Sequence, residues 1–358
     1  NTVNIQSTGT NNAYRVTAAY GGYIGHASNA DAVTGNTLTL TGGTVGTLYG
    51  GYSAGTGEVS GNNTLVTGGT VKGDIYAGWA AGAGKTKDNV LTLGAQDGKY
   101  SATIEGELYG GNDAGGTGNT LVVRSGSEVS VKKVHNFHNY TFILQNNDLI
   151  DKTLLRIRET GGLGNTVTWG NISVDASKFS INPTWMGSHS VTLIESKGQM
   201  TFSGYAATDL TQKYPHDPYE IYLHTDREDT TNGTASQLLL TVNRLKDGSV
   251  DYDGTDAKLV GDEVFTGRSA MGYDVTGNKL LLTGVQTGGI AKYAAAAVAT
   301  GSAGKFTSNL TNNAVTINSA NPLSITEVYG AYADHASISG NLTLNRVTLT
   351  RGALTGNI

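Results

Sequence analysis

One feature constrains this chain more than any other: it repeats. The stretch "NTLTLTGGTVGTLYGGYSAGTGEVSGN" begins at Asn36, and "NTLVTGGTVKGDIYAGWAAGAGKTKD" begins at Asn63. Both run Asn-Thr-Leu, then Thr-Gly-Gly-Thr-Val, then an apolar residue and a tyrosine, then small residues. Tyr49 and Tyr76 stand at the same distance from Asn36 and Asn63. A third copy opens at Asn89 and reaches Tyr109 after an insertion, and a fourth opens at Asn119. The tyrosine signature recurs as "YGGYIG" from Tyr20, "YGGYSA" from Tyr49, "YAGWAA" from Tyr76, "YGGNDA" from Tyr109, "YAAAAV" from Tyr293 and "YGAYAD" from Tyr329.

Each unit holds two short strand patterns. Thr37-Leu38-Thr39-Leu40 alternates with period two, and Gly42-Gly43 turns the chain into a second strand that ends near Tyr49. A two-strand unit cannot bury its apolar face alone, whereas stacked units share a continuous core. A unit of roughly 27 residues at about 3.3 Å per residue gives roughly 90 Å of contour, enough for one circuit of a parallel β-helix with a corner loop. Propeller blades need more residues per unit, and a sandwich does not account for the recurring spacing. The expected fold is therefore all-β, a parallel β-helix. Leu38 and Leu65 are expected on its inward face, and stacked Asn and Thr can form ladders between rungs.

Composition agrees. The chain has 51 Gly, 4 Pro and 15% charged residues, yet 38% hydrophobic residues and 18 Tyr give it enough apolar surface to fold. A net charge of −5 argues against nucleic acid as a partner, since neutralising phosphates takes clustered Lys and Arg. There is no Cys, hence no disulfide framework and no thiolate chemistry. No run of about 18 apolar residues is present, so no membrane-spanning helix is expected. No initiator Met is present and the end is abrupt, so the chain reads as a fragment of a longer protein.

Residues 1–133 and 274–358 carry the repeats. Between them, residues 134–273 lose the signature and gain larger, more charged residues, including "KYPHDPYEIYLHTDREDTTNGT" from Lys213. Strand patterns at Asn139–Leu144 and Thr153–Arg158 keep arriving at short intervals. Irregular rungs are expected there in preference to an inserted β subdomain.

The units from Asn36 and Asn63, followed by "FHNYTFILQNNDLIDKTLLRI", resemble the passenger regions of type V autotransporter adhesins of bacteria. The resemblance covers about two-thirds of the chain. It implies a right-handed β-helix that is displayed at the cell surface and anchored through an outer-membrane β-barrel not contained in these residues. It further implies a non-catalytic adhesin with no cofactor. The implied partners are host-cell or bacterial surface proteins or glycans, with self-association a further mode. The alternatives are a β-helical glycan-processing enzyme and a passive structural stalk.

Four groups of residues have chemistry to weigh. "YAGWAAGAGKT" ends like a phosphate-binding loop, but Trp79 stands where that motif needs Gly, and a strand pattern follows where it needs a helix. The second aromatic of each tyrosine signature, Tyr23, Tyr52, Trp79 and Tyr332, forms a candidate ligand-binding row, with the first aromatic facing inward. The competing reading is an aromatic stack that stiffens the solenoid. Asp247, Asp251, Asp253 and Asp256 form an acidic run able to hold a cation, but without EF-hand spacing, and the simpler reading is a solvated turn. His216, Asp217, Glu220, His224, Asp226 and Glu228 contain the carboxylates an enzyme would use. Ser269 in "GRSAMG" lacks nucleophile-elbow spacing.

Overall fold

The computed structural model describes residues 1–7, 15–112, 116–124, 126–145, 149–227, 234–254, 263–285, 289–300, 307–333 and 339–353. The molecule is nearly all β, with 54% strand and 1% helix, and its parallel coils form a β-solenoid of about 10 turns. The chain divides into two compact units. One comprises Asn1–Ser180, Val191–Ala206 and Thr225–Leu239; the other comprises Ile181–Ser190, Ala207–His224 and Leu240–Ile358.

In the first unit, seven strands stack in one sheet: Thr2–Ile5, Thr37–Leu40, Asn63–Val66, Val90–Leu93, Thr120–Val123, Asn139–Ile143 and Ile172–Asp175. A second sheet carries the tyrosine strands Arg15–Ile24, Thr44–Ser53, Ile75–Tyr76 and Leu108–Tyr109. A short third sheet of Val33–Thr34, Val59–Ser60 and Thr86–Lys87 closes the coil. Period-two alternation puts Leu38, Leu40, Val66, Leu91, Leu93, Leu121 and Val123 in the core, all fully buried.

The register corrects one expectation. Thr37 pairs with Asn63 and Leu38 with Thr64. The rung partner of Asn36 is therefore Asn62, not Asn63. A one-residue shift moves every side chain to the other face, so Leu65 pairs with the outward Thr39 and is half-buried, while Thr64 sits in the core. The Thr64 hydroxyl is buried with no hydrogen-bond partner among the described residues.

Asparagine sets this register. Asn36, Asn62, Asn89 and Asn119 are buried at successive corners. Each Nδ2 donates to the next Oδ1, at 2.8 Å from Asn36, 2.9 Å from Asn62 and 3.0 Å from Asn89. Each backbone N–H donates to the same oxygen at 3.0–3.1 Å. The residue before each Asn turns the corner in the left-handed region: Gly35 at φ 64°, Gly61 at 61°, Asp88 at 52° and Gly118 at 71°. Only Gly, Asn and Asp adopt that region readily.

Pairing stays parallel into the central region. Val129–Val131 pairs with Thr153–Ile157, and Leu155 pairs in turn with Ile194. Thr208–Asp209, by contrast, pairs antiparallel with Leu223 and Tyr222.

In the second unit, Ser249–Tyr252, Lys279–Leu282, Ala314–Asn318 and Arg346–Arg351 form a parallel sheet. Asn278 donates to Asn313 at 3.3 Å, and Asn313 to Asn345 at 2.9 Å. Here the left-handed corners are Asp247, Gly277, Asn312 and Leu344. A second register correction falls on "YAAAAV". Ala295, not Tyr293, pairs with Tyr329, and Phe265 pairs with Ala295. The signature aromatic of that coil is thus an alanine, and Phe265-Thr266-Gly267-Arg268 is a copy the sequence reading missed.

Candidate functional site

The outer face of the tyrosine sheet in the first unit carries aromatic side chains in register from coil to coil. Tyr49-Gly50-Gly51-Tyr52 shows how it is made. Both glycines are buried, and a Cβ on Gly51 would lie 2.5 Å from Asn62 Nδ2. The same holds for Gly22 against Asn36 and Gly78 against Asn89, at 2.3 and 2.5 Å. Two consecutive inward positions mark a bend, so aromatics three residues apart point to the same side. The first aromatic therefore faces outward, contrary to the expectation that it turns in. The asparagine ladder inside thus dictates the glycines, and the glycines dictate the aromatic face.

Two rows result. In the first, Tyr20, Tyr49, Tyr76, Tyr109 and His135 stack face to face, with centroids 4.9, 4.9, 4.7 and 4.6 Å apart. In the second, Tyr23, Tyr52 and Trp79 occupy successive register positions. Tyr23 stacks on Tyr52 at 5.3 Å. Tyr52 lies edge-on to Tyr49 at 5.4 Å, and Trp79 edge-on to Tyr76 at 4.5 Å. Tyr23 is the most open of them, 59% exposed, while Tyr52 and Trp79 are half-buried. Stacking along the coil axis covers the ring faces of the first row, leaving edges and hydroxyls for contact.

Carboxylates two residues upstream engage these hydroxyls, because strand residues i and i+2 share a face. Tyr76 donates to Asp74 at 3.2 Å and Tyr109 to Glu107 at 2.6 Å. Glu107 also meets His135 Nε2 at 2.9 Å and Lys133 at 3.8 Å. Burial opposes ionisation of Glu107, but the Tyr109 hydroxyl and His135 outweigh it and hold its carboxyl below the usual range. Burial, then Asp74, pushes the Tyr76 phenol up. The acid-x-Tyr pattern was visible in "DIY" and "ELY", and its signal is this shared strand face.

Tyr332 belongs to the second unit, where it stacks on Tyr329 at 4.7 Å and leans on Tyr293 at 4.8 Å. Tyr329 donates to Glu327, repeating the acid-x-Tyr pairing, and that bond lifts its phenol to about 12. Because Ala295 interrupts the row, the buried Tyr293 ring fills the gap.

The other candidates are dispersed. Asp247 turns a left-handed corner at φ 53°, Asp251 projects outward from Ser249–Tyr252, Asp253 follows that strand exposed, and Asp256 lies outside the described residues. No group of three His, Asp or Glu side chains among the described residues is placed to hold a metal. In the second unit Asp217 pairs with Lys246 at 2.7 Å, and His224 meets the Thr241 hydroxyl at 2.7 Å. Burial holds the His216 imidazole below its ordinary range. Glu220 is fully buried and accepts from Asn243 and from the Ala270 N–H at 2.6 Å, and from the Ser269 hydroxyl at 3.0 Å. Burial still pushes its carboxyl up. In the first unit Asp226 caps Ser236 and Gln237, with both backbone N–H groups donating to it. Glu228 lies outside the described residues. The Gly-Lys-Thr of "YAGWAAGAGKT" enters the strand Thr86–Lys87. Thr86 there is a buried rung position paired with Val59.

No family model matches this chain, and neither a curated protein nor a solved structure matches it.

Proposed function

We propose that this chain is a non-catalytic, adhesin-type passenger segment displayed at a bacterial cell surface, with the two-row aromatic face as its contact surface. The observation that supports this best is the second row: Tyr23, Tyr52 and Trp79 in register, with Tyr23 59% exposed. Tyrosine and tryptophan offer large contact area at low entropic cost and are the side chains on which protein surfaces most often bind. A stacked solenoid holds them on a rigid, extended surface. In this reading, an outer-membrane β-barrel outside these residues anchors the segment, and its partner is a surface protein or glycan of a host or neighbouring cell.

The test is adhesion of the purified chain to host-cell and bacterial monolayers, comparing wild type with a triple Tyr23→Ser, Tyr52→Ser, Trp79→Ser variant. The triple variant is expected to lose most adhesion while its melting temperature falls little. Unchanged adhesion would mark the rings as a stiffening stack. No adhesion by either protein would leave a passive stalk as the better reading.

A further inference from the structure

The coil that opens at Asn89 carries extra residues between Val90–Leu93 and Thr103–Ile104. They fold into an ordered turn over Ala95–Tyr100. The Ala95 N–H donates to Lys99 O and the Gly98 N–H to Ala95 O, both at 2.9 Å. The Lys99 N–H donates to Asp97 Oδ1 at 3.2 Å, and Lys99 Nζ meets Asp97 Oδ2 at 2.7 Å. Insertions in a solenoid rise from the stack without disturbing the coils, and they frequently mark the binding face.

Beside this turn lies an open groove of about 570 Å³, lined by Thr41, Thr67, Ser101 and Ser127 from the coils and by Lys99 and Tyr100 from the turn. Three properties decide what fits it. First, the coil side presents hydroxyls, which suit a polyol: Thr67 and Ser101 can donate and accept, while Thr41 Oγ1 donates to Ile5 O at 3.4 Å and keeps its acceptor side. Second, the backbone N–H groups of Thr41, Thr67 and Ser101 already donate to neighbouring rungs, each at 2.9 Å. An extended peptide adding itself as a strand would find no free amides there. Third, Asp97 neutralises Lys99, so the groove has no net pull on an anionic ligand. Tyr100 adds an aromatic ring, and its hydroxyl is buried with no hydrogen-bond partner among the described residues.

We propose that this groove binds an uncharged oligosaccharide, whose hydroxyls pair with Thr67, Ser101 and the acceptor side of Thr41 and whose apolar face packs on Tyr100. The proposal rests on the adhesin reading for the idea that the chain binds outside itself, but it uses a different surface.

The test is calorimetric titration of the full chain with cellohexaose, maltohexaose and mannohexaose, with the anionic hexagalacturonate as control. At least one neutral hexasaccharide is expected to bind in preference to the anionic one. A Thr67→Val, Ser101→Ala double variant is expected to bind it about tenfold more weakly, the equivalent of one or two hydrogen bonds. Tyr100→Ser, which removes the ring, should weaken it as well, whereas Tyr100→Phe, which keeps the ring, should bind like the wild type with an unchanged or higher melting temperature. No binding of any neutral hexasaccharide at its solubility limit would overturn the proposal. So would preference for the anionic probe, or wild-type affinity in the double variant. The two readings fail separately. Adhesion lost in the Tyr23, Tyr52, Trp79 variant, with silent saccharides, sinks only the groove. Saccharide binding, with adhesion indifferent to those rings, sinks only the aromatic face.

Discussion

The coils of the first unit and those of the second solve the same problem with different regularity. In the first unit three Nδ2–Oδ1 bonds of 2.8–3.0 Å link four buried asparagines in sequence, and five rings stack outside them without a gap. In the second unit the inner ladder begins from a glycine, whose N–H meets Asn278 Oδ1 at 3.0 Å. Its outer row reads Phe265, Ala295, Tyr329. The fold tolerates losing a ring at Ala295, because a neighbouring aromatic can cover the space. It keeps Asn278 and Asn313 fully buried. The inner ladder is thus the structural requirement. An unpaired buried amide has no water to fall back on, whereas an outer ring always does.

The largest effect tests the register on which this comparison rests, by charging two leucines of neighbouring coils in the first unit. Leu38→Asp buries an unpaired carboxylate at a fully buried site and should prevent folding, while Leu65→Asp, on the outward face, should cost about 1 kcal/mol or less. Circular dichroism of both variants checks this, and similar losses would refute the register. Next in size, Asn89→Ala strips the acceptor from Asn62 and should cost about 3 kcal/mol, read as a fall in the denaturation midpoint. Asn313→Ala in the looser ladder should cost less. An equal cost would mean that ladder regularity carries no energy.

Two smaller effects sharpen the picture in the opposite direction, by repairing a rung. Thr64→Val replaces an unpartnered buried hydroxyl with a methyl group and should stabilise by about 1–2 kcal/mol, seen as a higher melting temperature. Leu344 sits at φ 57° where equivalent corners hold Gly277 and Asn312, and it is 81% exposed. Leu344→Gly should therefore stabilise by about 1 kcal/mol. A loss of stability from either change would show that the residue has a role beyond its rung.

Much of this is legible in the sequence. Repeat length, two-residue alternation and glycine-rich turns pointed to a parallel solenoid, and "YAGWAAGAGKT" read as a rung and not as a phosphate cradle. The errors were errors of register. "NTL" from Asn63 matches "NTL" from Asn36 letter for letter, yet the physical equivalence is Gly61-Asn62 with Gly35-Asn36: a left-handed corner followed by a buried amide. "YAAAAV" misled likewise, because a tyrosine letter was matched where the rung holds Ala295. Identical letters do not reveal which way a side chain points. The aromatic face followed the same logic. Two inward glycines between Tyr49 and Tyr52 reverse the parity that an unbroken strand would impose.

The amino-acid order by itself determined the fold class, because period-two apolar patterning at a short repeat leaves stacked β-coils as the way to share a core. It also determined the chemistry available to the surface: aromatic, hydroxylated, poor in charge. Only the tertiary structure decided which asparagine is the ladder, which tyrosines face out, and that hydroxyls from successive coils line one groove with Tyr100. These are properties of register between strands far apart in sequence. Register is set by the geometry of hydrogen bonds in the buried interior, where an amide displaced by one residue finds no partner.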